Sequence, residues 1–274
     1  MPTVQYLKKK LKSNRSTQKI SKAMKTASTV KYSRLSTLYS EFSRYEQSCQ
    51  QVYEQFKADY DKIFSAANYN APEAVIVMAG NKGMCAGFNS ELISFAEEVI
   101  ESCERPPLVF SCGKQARAFF AEKNIATEKS YVFSDIPSYS EAHDLVADIE
   151  KYIAEGKISD AKIVYQSYQN MMRQTPAVCD LFGGDAKTPS GEDLLFVPDK
   201  ESVIKGTEDK ILSARIYKRV LETALGAQAA TLMTMRSAYD TASELVNELE
   251  GEINRKRQSQ VTADVIETAA EFAK

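Results

Sequence analysis

Acidic side chains are missing from the first 35 residues, where ten basic ones stand: Lys8, Lys9, Lys10, Lys12, Arg15, Lys19, Lys22, Lys25, Lys31 and Arg34. A solvated helix face does not require so complete an absence, which points to a negatively charged partner. The rest of the chain holds 25 basic against 37 acidic residues, a net −12, so one end is positive and the body acidic. Glycine is absent from the first 64 residues and Pro2 is the only proline there, which leaves nothing to interrupt a long helix. Long apolar runs are lacking too. The richest stretch, Ala74–Ala79, is far too short to cross a bilayer. The start, MPTVQYLKKKLKSN, has no apolar segment behind its lysines, so no secretory signal is expected. The five cysteines (Cys49, Cys85, Cys103, Cys112 and Cys179) form no CxxC pair, and His143 is the single histidine. A zinc-type cluster is thereby excluded and a reducing, cytoplasmic compartment expected.

What the chain does hold is 274 residues with 43% hydrophobic and 26% charged side chains, enough for one large or two modest domains with a core. Apolar residues at Leu35, Leu38, Phe42, Tyr45, Cys49, Val52, Phe56, Tyr60 and Ile63 step by three and four, the spacing of a helix packed along one seam. Val4, Leu7, Leu11, Ile20, Met24 and Ala27 extend a thinner stripe towards the start. The other end repeats the pattern: Leu221, Leu225, Gln228, Leu232, Met235, Tyr239, Ala242, Val246, Leu249 and Ile253. The register breaks over residues 254–260, then resumes at Val261, Val265, Thr268 and Phe272. This predicts a second long helix from about Thr207, with Gly226 and Gly251 each weakening its interior by about 1 kcal/mol relative to alanine. The two helices can pair within one chain as an antiparallel coiled coil, or each can find a partner in a second chain. A middle domain that returns the chain to its start favours the first arrangement.

The middle, residues 68–206, alternates strands and helices. Strands are expected at Ala74–Ala79, Leu108–Cys112 and Lys162–Ser167, with further candidates at Ala177–Phe182 and Asp193–Val197. Helices are expected near Asn89–Ser102, Lys114–Lys123 and Ser140–Glu155. Such alternation implies a mostly parallel sheet with covering helices. Domain boundaries are therefore expected at 1–67, 68–206 and 207–274.

Chemistry is harder to place. The turn GNKGMCAGFN at Gly80–Asn89 follows a strand and precedes a helix, where backbone amides can cradle phosphate. It nonetheless lacks both GxxxxGK[ST] and GxGxxG, and Gly113–Lys114 is followed by Gln115 rather than a hydroxyl residue. Cys85 lies in the turn without a triad context for His143, so a buried, inert thiol is expected. Neither a catalytic site nor a cofactor is expected.

Three segments, in order and spacing, resemble the gamma subunit of F-type ATP synthases. STQKISKAM at Ser16–Met24 resembles that family's NTQKITKAM signature. NKGMCAGFN at Asn81–Asn89 is similar to its S-D-[KR]-G-L-C-G-[GS]-x-N turn. AQAATLMTMRSAYDTASELVNELEGEINRKRQSQVT at Ala227–Thr262 resembles its C-terminal helix, and QNMMRQTP at Gln169–Pro176 a further internal piece. The chain departs from the family at Ala79–Gly80, at Ala86 where a glycine is usual, at Thr231 in place of an arginine, and at Asp240–Thr241. The resemblance implies a long antiparallel coiled coil of the two ends plus a central Rossmann-like α/β domain. The implied function is that of a non-catalytic central stalk turning inside a hexamer of alpha and beta subunits, with epsilon and the c-subunit ring as further partners. Association with the cytoplasmic face of a bacterial plasma membrane would be peripheral, through the complex. Carried over by position, Met24, Arg257, Gln258 and Thr262 would meet beta subunits, and Leu194 and Phe196 the c-ring or epsilon. The competing reading is a basic coiled-coil protein that binds nucleic acid or dimerises.

Overall fold

A computed structural model describes residues 3–56, 71–181 and 199–272. Helix α1 covers Val4–Gln55. It is followed in order by β1 (Ala74–Met78), α2 (Phe88–Ser102), β2 (Leu108–Cys112), α3 (Lys114–Glu122), β3 (Lys129–Tyr131), α4 (Tyr139–Ala154), β4 (Ala161–Asn170), β5 (Arg173–Asp180) and α5 (Lys200–Phe272). The chain divides into two compact units, one made of Met1–Ser28 with Leu232–Lys274, the other of Thr29–Thr231.

In the larger unit the strands form one sheet in the order β3-β2-β1-β4-β5. β1 runs parallel to β2 and β4, and β2 parallel to β3. Only the β4–β5 hairpin is antiparallel. Every residue of β1 is buried, which is why AVIVM reads as an unbroken apolar run rather than an alternating one. Val75 and Val77 pack with Val109, Val164, Leu92 and Ala96 of α2, and Ala116 and Phe120 of α3. Ala74, Ile76 and Met78 face the other way, onto Ala142, Leu145, Val146 and Ile149 of α4 and onto Leu35, Leu212, Ile216 and Leu221 of the two long helices. Large apolar side chains sealed in this way contribute roughly 1.5–3 kcal/mol each, so the α4 stripe alone is a major stabiliser of that face. A capping box fixes where α4 begins: Ser138 Oγ accepts from Glu141 N while Ser138 N donates to Glu141 Oε1.

Within this unit α1 and α5 run antiparallel. Glu46 meets Lys218 at 2.5 Å, Gln50 meets Arg215 at 2.8 Å, and Tyr53 packs with Ile204 and Ile211. The buried line on α1 is Leu35, Glu46 and Tyr53, with Tyr39, Phe42 and Cys49 half-buried between them. The expected line through Leu38, Tyr45 and Val52 is exposed instead. Glu46 caused the misreading, because a carboxylate marks a solvent position unless a cation is waiting for it, and Lys218 is. Helix α5 begins at Lys200, seven residues before the expected Thr207. Asp199 caps it by accepting from Ser202 N at 2.9 Å and Ser202 Oγ at 2.8 Å.

The smaller unit is a helix pair, also antiparallel: Arg15 lies at Glu250, Gln18 at Ser243, and Lys25 over the Tyr239 ring. On the α5 side the expected seam holds through Met235, Ala242, Val246 and Leu249, all buried. On the α1 side the seam is Leu7, Leu11, Asn14, Gln18, Ser21 and Ser28, whereas Ile20 is 56% exposed and Ala27 also faces out. Val4, Leu7, Leu11 and Met24 of the expected stripe are buried or half-buried, while polar residues of small or medium size occupy the places that apolarity alone assigned to Ile20 and Ala27. These pairings place Thr3 opposite about residue 260 at one residue of α5 per residue of α1. Beyond that point α5 has no partner helix among the described residues, and Val261, Val265 and Ile266 are exposed rather than resuming a buried stripe. Tyr60, Ile63 and the strand candidate Asp193–Val197 lie outside the described residues.

Candidate functional site

Two surfaces carry the residues singled out from the sequence. The first is the last part of α5 in the smaller unit. Gln258 and Thr262 are four residues apart and share one helix face, Arg257 stands about 100° round from Gln258, and all three are exposed. With Asn254 and Val261 they line a shallow concavity of about 460 Å³. Thr262 Oγ1 donates to Gln258 O at 2.9 Å, which spends the hydroxyl proton on the helix and leaves the oxygen as an acceptor. Arg257 makes no ion pair among the described residues. Its guanidinium therefore offers a planar fork of donors to whatever approaches, beside an apolar Val261 and the Gln258 amide. The concavity offers donors and a small apolar surface, and none of the residues lining it is placed for proton or acyl transfer.

Met24 is half-buried and belongs elsewhere on the same unit. Its neighbour Lys25 lies over Tyr239, eighteen residues from Arg257 along α5, or about 27 Å at the helical rise. The structure therefore brings together three of the four residues and leaves Met24 apart. Lys8, Lys9, Lys10, Lys12, Lys19 and Lys22 are all exposed along α1, and Arg15 is held by Glu250. Leu194 and Phe196 lie outside the described residues.

The second surface is the Gly80–Asn89 turn in the larger unit. Asn89, at the start of α2, organises it: its Oδ1 accepts from Gly80 N at 2.9 Å, and its Nδ2 donates to Lys82 O at 3.1 Å and meets Cys85 Sγ at 3.1 Å. Asn81 ties the turn to its neighbours by donating to Phe133 O and accepting from Lys114 N. The Asp135 carboxylate takes both Lys82, at 2.6 Å, and Lys31 of α1. Hydrogen bonds from those two ammonium groups hold the Asp135 carboxyl below the usual carboxylate range, and the bond to Asp135 raises Lys82. Lys82 is thus committed to a carboxylate inside the chain. Cys85 is buried, and burial pushes its thiol up, away from the thiolate a nucleophile needs. His143 lies on the exposed face of α4. Met84 and Ala86 both have positive φ, 62° and 51°, so the turn passes twice through the left-handed region without a glycine at either place. Sequence reading singled out Lys82 and Cys85 but missed Asp135, whose only signal was position after a β-strand too short to recognise.

Comparison with known proteins matches both surfaces at once. The family model described as ATP synthase covers residues 3–271. The ATP synthase gamma chain of Rubrobacter xylanophilus is 25% identical over 98% of this chain and 97% of its own length. That of Pelotomaculum thermopropionicum is 27% identical over 97% of each. Among solved structures, the rotor of the Euglena gracilis mitochondrial ATP synthase superposes with a TM-score of 0.66 at 18% identity, covering 94% of this chain and 98% of that one. The central stalk and c-ring structure of the Tetrahymena thermophila mitochondrial enzyme gives 0.62 at 13% identity, over 80% of this chain and 99% of that one.

Proposed function

The chain belongs to the ATP synthase family as a gamma subunit of the F-type enzyme, and from that premise we propose how its surfaces serve rotation. The observation that carries the reading is the extent of the match: residues 3–271 fit one family model, with both chain ends and the glycine-bearing turn inside it. The relatives reported above are gamma chains, which gives the nucleic-acid reading no support. The ends of the chain pair with each other along their seams, which occupies the surface a zipper with a second chain would need.

In this reading the paired ends turn inside the hexamer of alpha and beta subunits, and the sheet-bearing part meets epsilon and the c-ring. The division of labour follows residues 1–67, 68–206 and 207–274. Exposed lysines on α1 attract acidic loops of beta subunits. Such attraction is weakly directional and fades over about 8 Å at physiological salt, which suits a shaft that must pass three similar partners without adhering to one. Arg257, Gln258 and Thr262 supply the directional contact, because a guanidinium fork and an amide hold a carboxylate or carbonyl in fixed geometry. Met24 contributes a separate apolar contact to beta, while Leu194 and Phe196 serve the c-ring or epsilon. The subunit has no catalytic centre of its own: it alters nucleotide affinity at beta sites by contacting their conformations unequally, the only way a shaft can shift those equilibria. No helix among the described residues is long and apolar enough to cross a membrane. In this reading association with the cytoplasmic face of a bacterial plasma membrane is peripheral, through the complex.

The test is assembly. Co-expressed with alpha, beta, epsilon and the membrane sector, the chain should co-purify at one copy per complex and restore ion-driven ATP synthesis in vesicles. A complex that assembles and synthesises ATP equally well without the chain overturns the assignment.

A further inference from the structure

In the larger unit, α1, the end of β5 and α5 enclose a cavity of about 560 Å³ that the rotor reading leaves unused. That volume is in the range of small-molecule sites. Its cationic wall is Arg215, Lys218 and Arg219. Lys218 is spent on Glu46 at 2.5 Å, and Arg219 on Glu222 at 2.7 Å while stacked 4.4 Å from the Tyr165 ring centroid. Arg215 differs: Nε and Nη2 donate to Gln50 Oε1, and Nη1 to the Leu181 carbonyl. Both acceptors are neutral oxygens, so among the described residues Arg215 keeps its charge uncompensated and two of its five N–H donors unspent. Its plane is fixed by the Tyr53 ring, 3.9 Å from the guanidinium carbon. Further along the same wall of α1, Ser43 Oγ is buried without a hydrogen-bond partner of good geometry, although the Tyr39 phenol interacts with it. A buried hydroxyl left so is costly, and a water or a ligand atom in the cavity would satisfy it. Ile163 and Leu181 supply apolar surface between these polar ends.

We propose that this cavity binds a small molecule carrying an oxyanion, phosphate or carboxylate, on a compact apolar body. The oxyanion takes the two free donors of Arg215, in the planar geometry that a guanidinium offers and an ammonium does not. The body lies along Ile163 and Leu181, and a polar atom reaches Ser43. Asp180, exposed at the rim, is the one lining carboxylate without an ion pair among the described residues. It opposes an anion, though less than its charge suggests because water screens it.

The test is calorimetric titration of the full chain with inorganic phosphate, phenyl phosphate and benzoate at constant ionic strength, with chloride as the blank. One-to-one binding is expected, with phenyl phosphate tighter than inorganic phosphate. A preference for phenyl phosphate over benzoate identifies a phosphate ester as the source of the oxyanion, and the reverse a carboxylate. Arg215→Lys keeps the charge but loses the fork and should weaken binding about tenfold. Ser43→Ala should weaken it about threefold, and Asp180→Asn should tighten it by a similar factor. Lys157→Ala, on an exposed loop, should leave it unchanged. Circular dichroism of each variant reports folding, and if Arg215→Lys fails to fold, Ser43→Ala and Asp180→Asn decide. Heats no different from chloride, or affinities indifferent to both of those variants, overturn the proposal.

Discussion

Two glycines in the interior of α5 share a helical backbone and a propensity deficit but not their surroundings. Replacing either by alanine removes about 1 kcal/mol of helix penalty. At Gly251 a new methyl group meets nothing within 4 Å, so the whole gain should appear. At Gly226 the added carbon would stand 2.9 Å from Phe88 Cε2 and 3.3 Å from Gln174 Cγ. Phe88 is buried at the start of α2, which leaves its ring little room to retreat, and its backbone is held by the bond from Gln166 Nε2 to its carbonyl at 2.7 Å. Overpacking of this kind costs about 1–3 kcal/mol, which cancels or exceeds the propensity gain. Gly251→Ala is therefore expected to stabilise the chain by about 1 kcal/mol, raising the thermal midpoint of its unit by a few degrees. Gly226→Ala should give no gain or a loss of up to about 2 kcal/mol. Thermal and urea unfolding of the full chain, with hydrogen exchange to assign each change to its unit, separates them. Equal stabilisation by both substitutions would refute the reasoning, because it would mean that α5 does not approach the start of α2 closely enough for a glycine to matter.

Other outcomes follow from the same geometry. Ala86→Gly should stabilise the Gly80–Asn89 turn by up to about 1 kcal/mol, since φ of 51° strains alanine and not glycine, and a loss of stability in urea unfolding would contradict this. Asp135→Asn should cost about 1 kcal/mol at neutral pH by removing the shared partner of Lys31 and Lys82. Because the folded-state pKa of Asp135 is depressed, that contribution is present above its ordinary 3.8 and lost as pH falls through the lower folded value. The gap between wild type and variant should thus close on acidification, and a gap independent of pH would remove the charge pairing from the account. Arg257→Ala with Gln258→Ala, both exposed, should change the stability of the free chain by under about 0.5 kcal/mol yet weaken coupled ATP synthesis at equal assembled complex. A matching loss of assembly would make the pair structural instead.

The legible parts of the fold were those in which one physical signal dominated. β1 was visible because a strand buried on both faces needs an unbroken apolar run, and AVIVM is one. The α5 seam was visible because Met235, Ala242, Val246 and Leu249 are apolar and buried together. The α1 seam was legible only in part, because Glu46 is buried through its partner Lys218, and Gln18 half-buried against Ser243, and neither partner can be read from local pattern. β3, three residues long with two exposed, carries too little periodicity to detect. At the turn, the departure at Ala86 was visible as a missing glycine, but its strain required the backbone angle. Arg215 stayed hidden altogether, since an arginine held by neutral acceptors looks like any other in a charged helix.

The central claim is that the chain rotates, and rotation can be watched. With the alpha–beta hexamer fixed to a surface, a biotin acceptor placed at Met172, which is 81% exposed in the β4–β5 hairpin, carries a bead. On addition of ATP the bead should turn in one direction, in steps that follow the threefold arrangement of beta subunits, and stop when ATP is withdrawn. A bead that stays still while the assembled hexamer hydrolyses ATP at its full rate would contradict the account.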